Sequence, residues 1–303
     1  MRRRAPPDAL PGRGAACHDR VARRLRAGAR RPMPDLNAVV TRRIEAASGL
    51  LILRVAPDGW KLPEFKAGQF VVLGLPYGAP RVPLSDPEPP PKDPQRLIRR
   101  AYSIASSPLA DGELEFYVTL VRSGELTPRL FALRPGDRLW LSNKPTGMFT
   151  LRDVAPERHV VMIATGTGLA PYMSMLRTHL AAPGERRYAA IVGARHSWDI
   201  AYSSELTTMQ RLSPRFTWLP TVSRPAEEPV PWGGDTGHVQ DLWRKGRLAE
   251  RWGFAPSPEN ADVFLCGAPA MIDDVTAMLV AQGFKADEQG KPGQGQVHAE
   301  RYW

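Results

Sequence analysis

Two short stretches of this chain, about sixty residues apart, carry groups suited to a phosphate-bearing cofactor. The first is Arg100-Ala101-Tyr102-Ser103. In strand alternation Arg100 and Tyr102 share one face, while Ser103 points to the other or lies at the strand end. A guanidinium beside a phenol can hold a diphosphate while the ring stacks on a planar group. The second stretch is Ala164-Thr165-Gly166-Thr167-Gly168-Leu169-Ala170-Pro171. It follows an apolar run and opens a helical pattern, so bare backbone amides gather at a helix N-terminus. Gly166 and Gly168 have no Cβ, which lets a pyrophosphate approach those amides; Pro171 stands where the third glycine of the usual dinucleotide fingerprint falls. Two such sites in one chain point to two cofactors meeting, and therefore to electron or hydride transfer.

Further contacts lie where the next strands end. Arg195 follows Val192-Gly193-Ala194, and Ser223-Arg224 follows Thr221-Val222. Ligands of open parallel sheets bind outside the carboxyl ends of the strands. Two arginines there, with no acid at the equivalent ends, suit a 2′-phosphate better than a free ribose diol, which favours NADP(H) over NAD(H). Gly124-Glu125-Leu126-Thr127 reads as another helix N-terminus and a second anion site. His159, His179 and His298 have no metal-ligand spacing, and no metal site is expected. The only cysteines are Cys17 and Cys266. They cannot build a disulfide framework or a four-cysteine iron–sulfur cluster, and they fit a reducing cytoplasm.

The elements that must position these groups change character along the chain. From Asn37 to Leu141 the apolar runs are short, β-branched or aromatic: Val39-Val40, Leu51-Ile52-Leu53, Phe70-Val71-Val72-Leu73, Tyr102-Ser103-Ile104 and Leu114 to Leu120. Gly, Pro and Asp turns separate them, which predicts an antiparallel barrel. Pro76 to Pro94 holds eight prolines and reads as a long exposed loop. A helix is expected over Leu126 to Leu133, with Thr127 as its N-cap and Pro128 at its first position. After Phe149 strands alternate with helices. The strands are His159 to Ala164, Ala189 to Val192, Phe216 to Leu219 and Val263 to Cys266. One helix runs from Pro171 to Leu180 with Met173, Leu176 and Leu180 on a stripe; another runs through Met271, Val275 and Met278. That rhythm predicts a parallel sheet covered on both faces.

Charge argues against one class of partner. The chain has 303 residues and a formal charge of +10. Residues 1–34 contain ten Arg against only Asp8 and Asp19, so they carry +8 and leave +2 for the body. A basic tail on a nearly neutral body is not a nucleic-acid groove, although the tail alone keeps that reading open. Poor in large apolar residues, the tail reads as a disordered extension. No stretch is long and apolar enough to span a membrane as a helix.

Arg100-Ala101-Tyr102-Ser103, Gly124-Glu125-Leu126-Thr127-Pro128, Thr165-Gly166-Thr167-Gly168, Cys266-Gly267 and the terminal Ala299-Glu300-Arg301-Tyr302-Trp303 resemble, in this order, the motifs of the bacterial ferredoxin/flavodoxin–NADP reductase family. The resemblance runs from about residue 36 to the C-terminus and leaves out the tail and the proline-rich insert. It implies a six-stranded antiparallel β-barrel for FAD over 35–152, then an α/β parallel-sheet NADP-binding domain over 153–303. It implies that Arg100 binds FAD phosphate, Tyr102 stacks on the isoalloxazine, and Ser103 lies near flavin N5, with Ala101 between them. Tyr117, Val118, Thr119 and Leu120 correspond to the strand beside the flavin. Glu125, Leu126 and Thr127 correspond to the second FAD-phosphate turn. Thr167 touches both cofactors; Tyr302 covers the other flavin face until nicotinamide displaces it; Trp303 packs on the FAD adenine. Cys266 falls near the nicotinamide and Glu300 near the flavin as a proton-handling acid. Gly166, Gly168, Ser223 and Gly267 complete the NADP site, with Arg195 and Arg224 on the 2′-phosphate. Where close relatives have a third arginine this chain has His238, so NADP(H) preference is expected to be weaker or pH-dependent. The implied activity is hydride exchange between NADP(H) and FAD with single electrons passed to or from ferredoxin or flavodoxin, by a cytoplasmic monomer. A reductase component of a multicomponent oxygenase is the alternative within enzymes.

Overall fold

The computed structural model describes residues 35–110, 112–288 and 293–302. The Arg-rich extension with Cys17, and the terminal Trp303, lie outside the described residues. The first half contains β1 (Ala38–Ala47), β2 (Leu50–Pro57), β3 (Phe70–Pro76), β4 (Leu97–Ser103), β5 (Leu114–Thr119) and β6 (Arg138–Leu141). They form one antiparallel sheet in the order β4-β3-β6-β1-β2-β5. Its edges meet just past β4, where Ala105 N donates to Glu115 O at 2.7 Å, so the sheet rolls up as a barrel. Alternate residues fill the interior, among them Leu51, Leu53, Val71, Leu73, Phe116, Val118, Leu139 and Leu141. This is the strand period of two.

A short helix, α1 (Thr127–Ala132), plugs one side of that core with Leu130 and Phe131. It corrects one expectation. The N-cap is Leu126, without a side-chain cap, and Thr127 and Pro128 are already helical. The Thr127 hydroxyl instead accepts from Val121 N at 3.0 Å and donates to Val121 O at 3.1 Å, closing the 121–127 loop on itself. A proline this early forfeits no helical hydrogen bond, so the turn tolerates it without a cap. The segment from Pro76 to Pro94 is also not a freely exposed loop. It is irregular, but Tyr77, Ala79 and Val82 pack against the barrel core.

The second half contains β7 (His159–Thr165), β8 (Tyr188–Ala194), β9 (Phe216–Val222), β10 (Asp235–Thr236), β11 (Ala261–Gly267) and β12 (Val297–Arg301). All pairs are parallel, in the order β10-β9-β8-β7-β11-β12. Helices α2 (Ala170–His179), α3 (Ser203–Leu212), α4 (Val239–Arg244), α5 (Arg247–Trp252) and α6 (Pro269–Ala281) cover it. Val160, Met162 and Ala164 of β7 pack with Tyr172, Met173 and Leu176 of α2 and Leu206 of α3. Val161 and Ile163 face the other way, onto Leu242, Leu248, Ile272, Val275 and Leu279. Both faces are apolar because both are covered, as parallel sheets require. Leu279 and Ile272, rather than Met278, complete the α6 stripe, and Leu180 falls just past the end of α2. The strand order turns back at β7: β8 to β10 lie on one side of it and β11 and β12 on the other. Open α/β sheets bind ligands at such a switch point.

Candidate active site

The glycine loop sits at the switch point. Gly166–Leu169 forms a single 3₁₀ turn between β7 and α2. Gly166 takes φ +55° and a Cβ there would meet nothing within 4 Å, so its backbone faces open space. Gly168 is small for a different reason than the one expected. A Cβ on it would lie 2.2 Å from Cys266 O, so the end of β11 occupies that space rather than a ligand. Gly267, at φ +138°, likewise has no room, with Thr165 Oγ1 2.4 Å from an added Cβ. The Thr-Gly-Thr-Gly and Cys-Gly motifs are thus two halves of one backbone contact, and the contact leaves Gly166 and Thr167 presented to a cavity.

That cavity, of ≈ 540 Å³, is lined by Thr165, Gly166 and Thr167 from the loop, and by Gly193, Ala194, Arg195, Ser223, Gly237 and His238 from the carboxyl ends of β8, β9 and β10. Ser48 and Gly49, from the barrel's β1–β2 turn, and Asp274 of α6 also line it; nothing in their local sequence marked them. Arg195 is exposed, with its guanidinium 3.8 Å from Asp199. Arg224 is not a lining residue: its side chain lies outside, 3.5 Å from Glu227. His196 stands between the two acids, 3.1 Å from Asp199 and 2.8 Å from Glu227. The strand ends therefore do carry acids in space, although none adjoins the arginines in sequence. His238 N donates to Asp241 at 2.9 Å, fixing the start of α4.

A second cavity, of ≈ 530 Å³, lies against the barrel and is lined by Arg100 to Ser103, by Tyr117 to Thr119, by Val121 and Gly124 to Thr127, and by Glu300 to Tyr302. Thr119 and Thr167 line both cavities, so the two adjoin. Leu120 belongs to the first. Arg100 already holds an anion: its Nη2 donates to Glu125 Oε2 at 2.7 Å. The Arg100 guanidinium is thus held at the cavity wall by a carboxylate. At six residues α1 brings little dipole, so an anion at the 124–127 turn would be held by the turn's own groups and by Arg100 beside it. Burial pushes the Tyr102 phenol up, with Arg100 opposing. The Tyr117 phenol, pushed up to about 12 by burial, donates to Asp199 O at 3.1 Å and ties β5 to the other sheet.

The C-terminal strand supplies the remaining groups. Ser103 Oγ donates to Glu300 Oε2 at 3.4 Å. Burial pushes the Glu300 carboxyl up to about 7, against the smaller lowering effect of that hydrogen bond. Burial raises the Tyr302 phenol well above its ordinary range, with Cys266 and Glu300 adding to the effect and Ser103 opposing it. Cys266 is fully buried and lines neither cavity; burial and then Glu300 keep its thiol protonated. β12 is anchored by His298, whose ring nitrogens lie 3.0 Å from Asp262 and 2.7 Å from Asp287. Burial alone would lower this imidazole, but the two carboxylates raise it above its usual range. Among the described residues no cluster suits a metal ion.

An antiparallel barrel joined to a parallel nucleotide-binding sheet, with adjoining cavities at the seam and a near-neutral acid beside them, defines a two-part oxidoreductase. Residues 162–277 match the family of the oxidoreductase NAD-binding domain. The ferredoxin–NADP reductase of Azotobacter vinelandii is 33% identical over 240 residues, covering 76% of this chain and 84% of that protein. The flavodoxin/ferredoxin–NADP reductase of Escherichia coli is 31% identical over 239 residues, covering 79% and 88%. Among solved structures, a ferredoxin NADP+ reductase from Neisseria gonorrhoeae with bound FAD and NADP superposes with a TM-score of 0.72 at 21% identity, over 88% of this chain and 98% of that one. The chain belongs to the ferredoxin/flavodoxin–NADP reductase family.

Proposed function

We propose that this chain is an FAD-dependent ferredoxin–NADP(+) or flavodoxin–NADP(+) reductase, organised as an FAD-binding part over 35–152 and an NADP-binding part over 153–303. The observation that carries this reading is the pair of cavities, ≈ 540 and ≈ 530 Å³, that adjoin at Thr119 and Thr167. When bound, FAD would supply the exchange of a hydride with NADP(H) and of single electrons with ferredoxin or flavodoxin. Arg100 would hold FAD phosphate by exchanging Glu125 for a phosphate oxygen, with Tyr102, Tyr117 to Thr119 and the 125–127 turn around it. Gly166 and Thr167 would offer amides to the NADP pyrophosphate at the start of α2. Arg195, Ser223 and His238 line the cavity where a 2′-phosphate would sit, and Arg224 would join them by turning from Glu227. Thr119 and Thr167 would fix the two cofactors against each other, which is the positional part of the catalysis.

Glu300 is the acid of the site. With its carboxyl titrating near 7 and hydrogen-bonded to Ser103, it can hold or release a proton at working pH. Cys266 acts through packing: its backbone seats Gly168 and its thiol borders Tyr302. Tyr302 lines the second cavity and packs against the core beneath it, so nicotinamide would have to displace this side chain to reach the flavin. Ferredoxin or flavodoxin is the proposed partner, and the protein is proposed to work as a cytoplasmic monomer. Among the described residues no helix is long and apolar enough to cross a membrane. The test is anaerobic titration with NADPH and NADH, followed by electron transfer to ferredoxin, flavodoxin and cytochrome c. A yellow protein with one FAD, reduced preferentially by NADPH, is the expected result. Purified protein without stoichiometric FAD would overturn the reading.

A further inference from the structure

The segment between β3 and β4, residues 77–96, has neither helix nor strand, yet it is fastened at many points to one place. Val82 N donates to Pro128 O at 3.0 Å and Asp86 N to Arg122 O at 3.0 Å. In return Arg122 Nε donates to Leu84 O at 2.8 Å. Arg81 donates to Arg122 O at 3.2 Å and to Gly124 O at 3.5 Å, and pairs with Glu88 at 3.1 Å. At the centre is Arg129, 2% exposed, on the inner side of α1. Its guanidinium donates to Tyr77 O at 3.1 Å, to Glu88 Oε2 at 3.3 Å and to Glu125 O at 2.5 Å. A second contact joins Arg129 to Glu88 Oε1.

We infer that the 77–96 segment is a strap that positions the FAD-phosphate turn Gly124–Thr127, with Glu88 and Arg129 as its buried joint. The inference rests on the FAD reading above. The turn's own ties all run to Val121, from Thr127 and Gly124, and α1 behind it has six residues and no side-chain cap. A buried guanidinium must keep its carboxylate, so Arg129 stays where Glu88 is, and Arg129 grips Glu125 O from behind the turn. The prolines hold the strap's shape by restricting its unfolded freedom rather than by adding contacts. Gly124 to Thr127 line the cavity and none of residues 77–96 does, although Arg96 at the strap's end pairs with the Glu125 carboxylate at 3.5 Å. Glu88 and Arg129 are therefore positioning residues.

The test follows FAD release from the holoenzyme by the rise of free-flavin fluorescence on dilution. Glu88→Ala should weaken FAD retention on the order of tenfold. Arg122→Ala, an exposed tether that leaves the barrel core intact, should do so by about threefold. Glu88→Gln, which keeps the acceptor oxygen, should recover part of the loss. With FAD in excess, the KM for NADPH should not change in any of these. Wild-type FAD retention in both Glu88→Ala and Arg122→Ala, with loss in Arg100→Ala, would refute the strap and leave the FAD site standing. Unchanged retention in Arg100→Ala would remove the FAD site itself. A KM for NADPH that shifts as much as FAD retention would mean general loosening and would also refute the strap. If Glu88→Ala does not fold, Arg122→Ala decides.

Discussion

Replacing Glu300 with Gln tests whether the site carries a neutral acid at working pH. An ordinary glutamate titrates at 4.5, whereas burial beside Ser103 pushes this one up to about 7. Between those values the folded protein binds more protons at Glu300 than the unfolded chain does. Its contribution to stability therefore falls as pH rises from about 4.5 to about 7 and is constant above that. A rise from 4.5 to about 7, at ~1.4 kcal/mol per pH unit, sets an upper figure of ~3 kcal/mol for the loss. For a chain of this size that is roughly 6 °C in Tm. The glutamine side chain of the variant is neutral throughout and lacks the slope. The nearest titratable neighbours, Cys266 and Tyr302, are pushed upward and stay neutral across the window, so they do not obscure the comparison. Thermal unfolding of both holoenzymes from pH 5 to 8 should show the Gln variant gaining on wild type as pH rises, then levelling near neutrality. The same ionisation should appear as an apparent pKa near 7 in the wild-type pH–rate profile and be absent from the variant. Parallel Tm curves would refute the desolvated carboxyl, and with it the proton-holding role.

Arg224→Ala should raise the KM for NADPH about tenfold and leave that for NADH nearly unchanged; steady-state kinetics with both coenzymes checks this, and equal losses would remove Arg224 from the 2′-phosphate site. Gly168→Ala should lower stability by about 1–3 kcal/mol, because its Cβ has only 2.2 Å to Cys266 O; an unchanged Tm would show that the β11 end is not packed on this turn. Tyr302→Ser should tighten NADP⁺ binding in isothermal titration while slowing turnover, since the vacated space becomes available to nicotinamide; wild-type affinity would mean that the side chain is packing and not a gate.

The fold was most legible where burial is continuous or strictly alternating. The β-branched and apolar runs at β3, β5, β7, β8 and β11 could be read directly, because each packs against covered faces. The strands not named from the sequence are short or bury few residues: β6 has four residues, β10 two, and β12 buries only Val297 and His298. Helix α3 escaped because Leu206 is its sole buried residue, too little for a stripe. At the site, the glycine loop and Arg100 to Ser103 were legible because their chemistry is local. What remained hidden depends on docking. Ser48 and Gly49 reach the nucleotide cavity only because the barrel turn faces it, and Asp199 and Glu227 pair with the arginines only through loop folding. Gly168 was legible as a glycine but not for its reason, since its constraint comes from a strand about a hundred residues later.

One acid went unremarked inside an apolar run. Glu115 interrupts the apolar run of β5, and it is 4% exposed. Its carboxylate accepts from Arg177 at 2.7 Å, Arg54 at 2.8 Å and Tyr202 at 2.9 Å. Burial works against the charge, but these partners hold the carboxyl below its usual range. Arg177 in turn reaches Ala105 O at 2.9 Å and both oxygens of Glu205 at 2.7 Å. Ser174 Oγ donates to Ser106 O at 2.7 Å, beside the same joint. Such a network adds little net stability, because desolvation offsets most of its attraction. Its directionality is what an apolar seam lacks: hydrophobic surfaces can slide, whereas these bonds form in one arrangement. Glu115 lies on the strand that carries Thr119, and Arg177 on the helix that follows the turn carrying Thr167. Holding Glu115 to Arg177 therefore fixes Thr119 against Thr167, the two residues common to both cavities. For a reaction that depends on two cofactors meeting at the right distance, registry across the seam is the property worth a buried charge.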